Sequence, residues 1–334
     1  MIRSLDTKKL RIADQPGNSL MKLIKGLAAL LTAAMLAAPA VAEDYPERPV
    51  EFIVPWSPGG GSDTLMRLVS ANIEPHLGVE LPIINMPGVG GTVGLREASR
   101  RNADGYTISQ VHEGLLMATL TGLTELTWED FEPIALMTAS PQFLITKPTE
   151  DYSNFDEFIA YAKERPNELT MGVTLGGLPH LFAAMIEQAY DLKFKYVGYE
   201  GTGERVRAVV GGNLDLIIGD VASSLEFAKN GDLEFLVAGS AERHPALPEI
   251  PTFREQGEDI LLTVTRGIVM PKGTPEEVRN VMEAALQNLA QDETYIEQTN
   301  NAGSQVTFMG QEEYRAYLAK LDATVKSLAS VVVQ

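Results

Sequence analysis

The sequence predicts an α/β protein of about two domains, built on mostly parallel sheets flanked by helices. Three observations carry this expectation. Short apolar runs alternate with amphipathic helical patterns almost to the C-terminus, the pattern of strands joined by crossover helices. The 334 residues amount to about two domains at ~150 residues each. Two glycine-rich loops, each set between a strand and a helix, recur about 115 residues apart.

The alternation can be followed in order. Val50–Val54 (VEFIV) reads as a buried strand. Asp63–Leu77 then places Leu65, Val69, Ile73 and Leu77 four apart, on one face of a single helix. Leu81–Ile84 is a strand, Gly91–Arg101 a helix, Tyr106–Val111 a strand and Leu115–Leu120 a short helix. Ile134–Thr146 is extended and interrupted at Pro141. Phe155–Lys163 and Leu178–Tyr190 are helices on either side of a strand at Leu169–Val173. Strands follow at Phe194–Val197, Leu214–Ile218 and Phe235–Ala238, with helices between them, and a last strand at Val264–Met270. From there the pattern is all helical. Thr274-Pro275-Glu276-Glu277 has the form of a capping box with proline at the first helical position. Val278, Met282, Leu286 and Leu289 continue that helix, and Tyr314, Leu318, Leu321, Val325 and Leu328 define the final one.

The N-terminus reads as an address. From Met21, a short basic region (Lys22, Lys25) precedes an apolar run from Gly26 to Ala37 and the small-x-small site Ala40-Val41-Ala42. This is a secretory signal peptide cleaved after Ala42; the run is too short for a spanning helix of ~20 residues. Residues 1–20 do not suit a position ahead of such a leader, so Met21 is the expected start and 1–20 an extension. The expected location is the periplasm.

Composition excludes several functions. With no cysteine there is no disulfide scaffold, thiolate metal site or cysteine nucleophile. Residues 43–334 carry 21 basic and 43 acidic side chains, a net charge near −22. A nucleic-acid partner needs a concentrated basic face, so none is expected. Such a charge also opposes the approach of an anion at long range. An anionic ligand would have to be held by local donors.

The two loops offer such donors. The first is Pro55-Trp56-Ser57-Pro58-Gly59-Gly60-Gly61-Ser62-Asp63; the second is Thr174-Leu175-Gly176-Gly177-Leu178-Pro179-His180. Each exposes backbone N–H groups at the end of a strand and the start of a helix, where an anion is favoured. Neither is a nucleotide cradle, because a P-loop ends in Gly-Lys-Ser/Thr and here Gly61 precedes Ser62-Asp63. Asp63 reads as a helix N-cap. Gly88–Gly94 does not fit G-x-G-x-x-G, since Val93 falls on its last glycine. No cofactor is expected. The four histidines, His76, His112, His180 and His244, do not form a metal-binding pattern, and no catalytic motif is present.

Several residues leave two readings open. Trp56 either walls a pocket or packs in the core. His180 either donates to an anion or caps a helix. Tyr199-Glu200-Gly201-Thr202-Gly203 is a third loop before a helix, with the same ambiguity. Arg266 lies in an apolar run and needs an acidic partner, either a ligand carboxylate or an internal acid.

Four segments together carry a resemblance: YPERPVEFIVPWSPGGGSD, INMPGVGGTVGLREASRRNADGYTI, RHPALPEIPTFREQG and PKGTPEEV. In their order and spacing they resemble the periplasmic solute-binding subunits of tripartite tricarboxylate transporters, over essentially the whole chain from Tyr45. The resemblance implies a two-lobed type II periplasmic-binding fold, each lobe a mostly parallel sheet flanked by helices, with a ligand cleft between the lobes that closes on an organic acid. It implies contacts to one ligand carboxylate from Ser57, Gly59, Gly60, Gly61 and Asp63 in one lobe and Gly176, Gly177 and His180 in the other. Trp56, Thr174, Tyr199 and Glu113 complete the candidate set. The sequence departs from the family pattern in three places. The second loop is LGGLPH where a serine-rich Gly-Ser/Thr-Gly is usual. Gly198-Tyr199-Glu200-Gly201 has glutamate where lysine is common. Glu113 stands where a small or polar residue is usual. These departures bear on the distal half of the ligand.

The lobes expected on this basis are 43–143 with 264–334, and 144–263. The implied partners are a small organic acid and a permease of one large and one small integral subunit, with the receptor itself a monomer. The rival readings are a periplasmic sensor that presents a carboxylate to a membrane kinase and a secreted enzyme using the same cleft.

Overall fold

The computed structural model describes residues 45–327. The expected leader, its cleavage site and Leu328 lie outside them.

In β1 (Glu51–Val54) the apolar residues are buried on both faces of the sheet, Phe52 and Val54 in one cluster and Ile53 in another. β2 (Ile83–Asn85) and β3 (Thr107–Val111) both pair with it in parallel. Between β1 and β2 run α1 (Gly61–Asn72) and α2 (Glu74–Leu77); α3 (Thr92–Arg100) links β2 to β3, and α4 (Gly114–Leu120) follows. The single helix expected over 63–77 is therefore broken at Ile73. Pro75 has no N–H to continue the helical ladder, and Gly78 closes α2 with φ +85°.

β4 (Phe131–Pro141) belongs to the same sheet as β1, and β5 (Phe143–Thr146) to a second one, so the chain changes sheets at Gln142. The second sheet is built from β5, β6 (Thr170–Val173), β7 (Lys195–Gly198), β8 (Leu216–Gly219) and β9 (Glu234–Ala238). Its connections are α5 (Phe155–Lys163), α6 (Leu178–Tyr190), α7 (Thr202–Val210) and α8 (Val221–Lys229). The chain returns through β10 (Thr263–Pro271) and ends in α9 (Glu276–Leu289), α10 (Glu293–Asn301), β11 (Gln305–Met309) and α11 (Gln311–Ser327). The strand orders are β11-β4-β10-β3-β1-β2 and β7-β6-β8-β5-β9. At the crossing, Gln142 N–H donates to Leu262 O and Gly239 N–H to Gln142 O, both at 2.7 Å. The outgoing and returning segments thus lie side by side.

Both sheets are mixed rather than mostly parallel. The strands joined by helical crossovers pair in parallel, as expected. β10 runs antiparallel to β3 and β4, β11 to β4, and β5 to β8 and β9. β5 and β10 arrive from the other sheet without the helical crossover that a parallel neighbour requires.

Two further expectations are corrected. The C-terminal part contains β11, an edge strand whose residues are exposed or half-buried, so it lacks the apolar run that marks the inner strands. Thr274 does not cap α9: its hydroxyl donates to Pro271 O at 2.8 Å, and the cap position is Pro275. The apolar face of α9 is as expected, with Val278, Met282, Leu286 and Leu289 buried against the first sheet. Each such side chain contributes about 1.5–3 kcal/mol. On the other face of that sheet, Tyr314 and Leu318 of α11 pack with Ile53, Leu95 and Val269. The second sheet is likewise covered on both faces, around Phe158 and Phe182 on one side and Phe143 and Val209 on the other.

Candidate functional site

The first loop is rigidly tied, and its ties redirect the expectation for Asp63. Asp63 lies inside the first turn of α1, whose cap is Gly60. Its carboxylate accepts from Gly59 N–H (2.9 Å), Arg67 Nε (2.9 Å) and Asn85 Nδ2 (2.9 Å). Burial alone would raise its pKa; the Arg67, Gly59 and Asn85 bonds outweigh this and hold the carboxyl below its usual range. With its oxygens spent in this way, Asp63 acts as a brace for the loop and not as a cap.

The rest of that loop meets the third loop of the sequence, not the second. Ser57 donates to the Glu204 carboxylate. A Cβ on Gly60 would stand 3.1 Å from Gly203 N, and one on Gly61 would strike the Asp220 carboxylate at 1.9 Å. Ser57, Gly60 and Gly61 are therefore buried against the start of α7 and Asp220, while Gly59 is exposed beside them. None of the four lines the cavity described below.

Trp56 does both things left open for it. Its ring lies on Gly91, which has φ +88° and whose Cβ would fall 1.7 Å from Trp56 Cζ3; only glycine fits there. The ring also walls the cavity. The indole N–H donates to His112 Nε2. Burial, with the Arg266 charge nearby, pushes the His112 pKa down to about 3. An unfolded histidine titrates near ~6.5. Between these values the unfolded chain binds a proton that the folded chain refuses, so this contribution to stability is lost as pH falls from the higher value to the lower. We expect denaturant melts to show His112→Gln losing less stability than the native protein between pH 7 and pH 4.5. The gap should be roughly a kcal/mol per pH unit, and parallel profiles would refute it.

In the second loop, Thr174 and Gly177 line the cavity. Gly176 does not, and its N–H is spent on His180 Nδ1 at 3.2 Å. The His180 ring stands edge-on to Tyr196 at 4.6 Å and burial lowers its pKa, so it braces the loop locally. Tyr199 contributes its carbonyl, which accepts from the Thr174 hydroxyl at 3.0 Å. Glu113 is turned inward: its carboxylate accepts from Thr265 N–H at 3.0 Å, from the Thr265 hydroxyl and from Tyr317. Burial raises its pKa, and it too lies off the cavity lining.

The cavity encloses about 50 Å³ of free space between the two sheets. Its walls are Trp56, Thr174, Gly177 and Thr202, with Leu178, Phe182 and Val264 as the apolar part. Three charged residues reach it: Glu200, Arg205 and Arg266. Arg266 has its internal acid, Asp220, at 2.6 Å, and bonds to Ser62 and Ser140 as well.

Arg205 is different, and sequence reasoning missed it. It is 2% exposed. Its guanidinium donates to the Thr174 hydroxyl (3.0 Å), the Thr202 hydroxyl (2.9 Å) and Ile218 O (3.5 Å), while Nε has no partner. Among the described residues, no carboxylate lies within 4.0 Å of it, although the fields of Asp220 and Glu204 act on it. Burial pushes its pKa down to about 10, which leaves it a cation at neutral pH. A buried cation without a counter-ion is costly. The signal was present in the sequence: Arg205 lies four residues before the buried Val209, so the charge stands on the apolar face of α7.

Among the described residues no group of side chains could hold a metal, and no helix is long and apolar enough to cross a membrane.

Two mixed sheets with a cavity between them have the architecture of solved periplasmic binding proteins. The chain belongs to the tripartite tricarboxylate transporter family of receptors, whose family model matches residues 65–330. It is 25% identical over 307 residues to protein BugT of Bordetella pertussis, covering 90% of this chain and 94% of that one. The periplasmic binding protein BugD is similar in structure, with a TM-score of 0.82 and 26% identity over 86% of this chain and 98% of that one. So is MatC from Rhodopseudomonas palustris, solved with bound malate, with a TM-score of 0.78 and 25% identity over 87% of this chain and 100% of that one.

Proposed function

We propose that this receptor captures a small organic carboxylate on Arg205, at the cavity between the sheets, and delivers it to a membrane permease of one large and one small integral subunit. The observation that carries the reading is the buried, unpaired Arg205 guanidinium on the cavity wall. A ligand carboxylate supplies the missing counter-ion in bidentate geometry. Gly177 and Gly201, the cap positions of α6 and α7, border the same cavity. Neither helix has a side-chain cap, so their first N–H groups add donors for an anion. The malate held by MatC is a carboxylate of the same general class.

The loops named from the sequence serve as scaffold in this reading. Ser57 to Gly61 form the contact that closes on α7, and Thr174 and Gly177 touch the ligand. The lobes are 43–143 with 264–334, and 144–263, hinged at the paired crossing segments. Residues 1–42 hold the leader that sends the protein to the periplasm.

Native mass spectrometry of the protein isolated from a periplasmic fraction tests this. The expected result is a co-purifying organic acid of low mass that is absent from an Arg205→Gln preparation. A bound cation or neutral sugar, or the same acid retained by the variant, would contradict it.

A further inference from the structure

We propose that the ligand is a zwitterion, a small amino acid with an apolar body, whose carboxylate pairs with Arg205 and whose ammonium pairs with Glu200. The proposal rests on the carboxylate reading above and narrows it.

Arg266 is already neutralised by Asp220 at 2.6 Å, and the His112 ring is uncharged at neutral pH. Two charges on the cavity wall remain without an ion pair, the buried Arg205 and the half-buried Glu200. Glu200 Oε2 accepts one hydrogen bond, from Gly90 N–H at 2.9 Å. Its Oε1 accepts none among the described residues, and Glu200 is in no ion pair there. The cleft thus presents one cation and one anion. A ligand with one carboxylate and one ammonium matches both. A di- or tricarboxylate would satisfy Arg205 and then set a second carboxylate beside Glu200, where like charges in a partly dry site repel. Beside the polar Ser62, His112, Gln142, Thr174 and Thr202, the lining has an apolar part made by Leu178, Phe182, Val264 and the Trp56 ring, which suits a hydrocarbon body beside the charged ends.

Calorimetry on the full protein tests this with leucine and phenylalanine as probes. The comparison ligands are 4-methylpentanoate and 3-phenylpropanoate, which lack only the ammonium, and malate. The expected result is that an amino acid binds at least tenfold tighter than its amine-free partner and than malate. Glu200→Gln, which keeps an acceptor for Gly90 N–H, should erase that preference by weakening the amino acid at least tenfold, while malate and the amine-free acids gain affinity as the like-charge repulsion is removed. Tighter binding of malate or of the amine-free acids to the native protein would overturn the proposal while leaving the carboxylate site standing. So would amino-acid binding that Glu200→Gln does not weaken. If none of the five compounds binds the native protein, the zwitterion proposal falls. If, in addition, native mass spectrometry finds no organic acid, the carboxylate reading falls with it.

Discussion

Arg205→Met should abolish ligand binding and leave the empty protein as stable as the native one or more so. The two halves of this expectation have different causes. A hydrogen bond to a charged group contributes ~1.5–3 kcal/mol net, and a guanidinium offers a carboxylate two of them. Losing both costs on the order of 100-fold in affinity or more, at about 1.4 kcal/mol per factor of ten. The empty protein, by contrast, sheds a buried cation whose partners are two threonine hydroxyls and a carbonyl. Methionine fills the space without that desolvation cost. A melting curve and a titration on the same preparation check both halves. A strongly destabilised variant would mean that Arg205 is structural, and unchanged affinity would remove it from the site.

Asp220 should behave in the opposite way. It accepts from Arg266 at 2.6 Å, caps α8 through Ser223 N–H at 3.1 Å, and presses its carboxylate against Gly61. Both members of the ion pair are at most 3% exposed. Asp220→Asn keeps an acceptor for the cap and removes only the charge, stranding Arg266 as a buried cation. Removing one partner of a buried pair costs about 3–5 kcal/mol. The measurement is the unfolding free energy in urea, and a loss under about 1 kcal/mol would show that the pair is not what holds this junction. Asp220→Ala, which also loses the cap, should cost about 1 kcal/mol more.

These two arginines show how far the sequence could be read. Both were visible as charges in apolar surroundings, but only Arg266 stood in a run apolar enough to draw notice. Arg205 sits among Glu204 and Arg207, and a helix carrying three charges in four residues looks like a solvated surface. Its burial depends on Thr174, Thr202 and Ile218, two of them distant in sequence. The regular elements were more legible. Phe155–Lys163 and Leu178–Tyr190 are helices with the bounds expected, since their apolar faces and end signals are local. β11 was not legible, because a half-exposed edge strand lacks an apolar run. The glycine loops were recognised, but their partners were not. Which loop faces which is decided by the sheet order and the crossing at Gln142, neither of which leaves a local mark. Glu113 and His180 were candidates by residue type, and the structure spends both on neighbours within the scaffold.

The most direct measurement is a crystal structure of the protein with the acid that co-purifies with it. The account predicts a carboxylate of that ligand within hydrogen-bonding distance of the Arg205 guanidinium, with Gly177 and Thr202 beside it. A ligand bound with no carboxylate at Arg205, or one held by the Ser57–Gly61 loop away from that side chain, would contradict it.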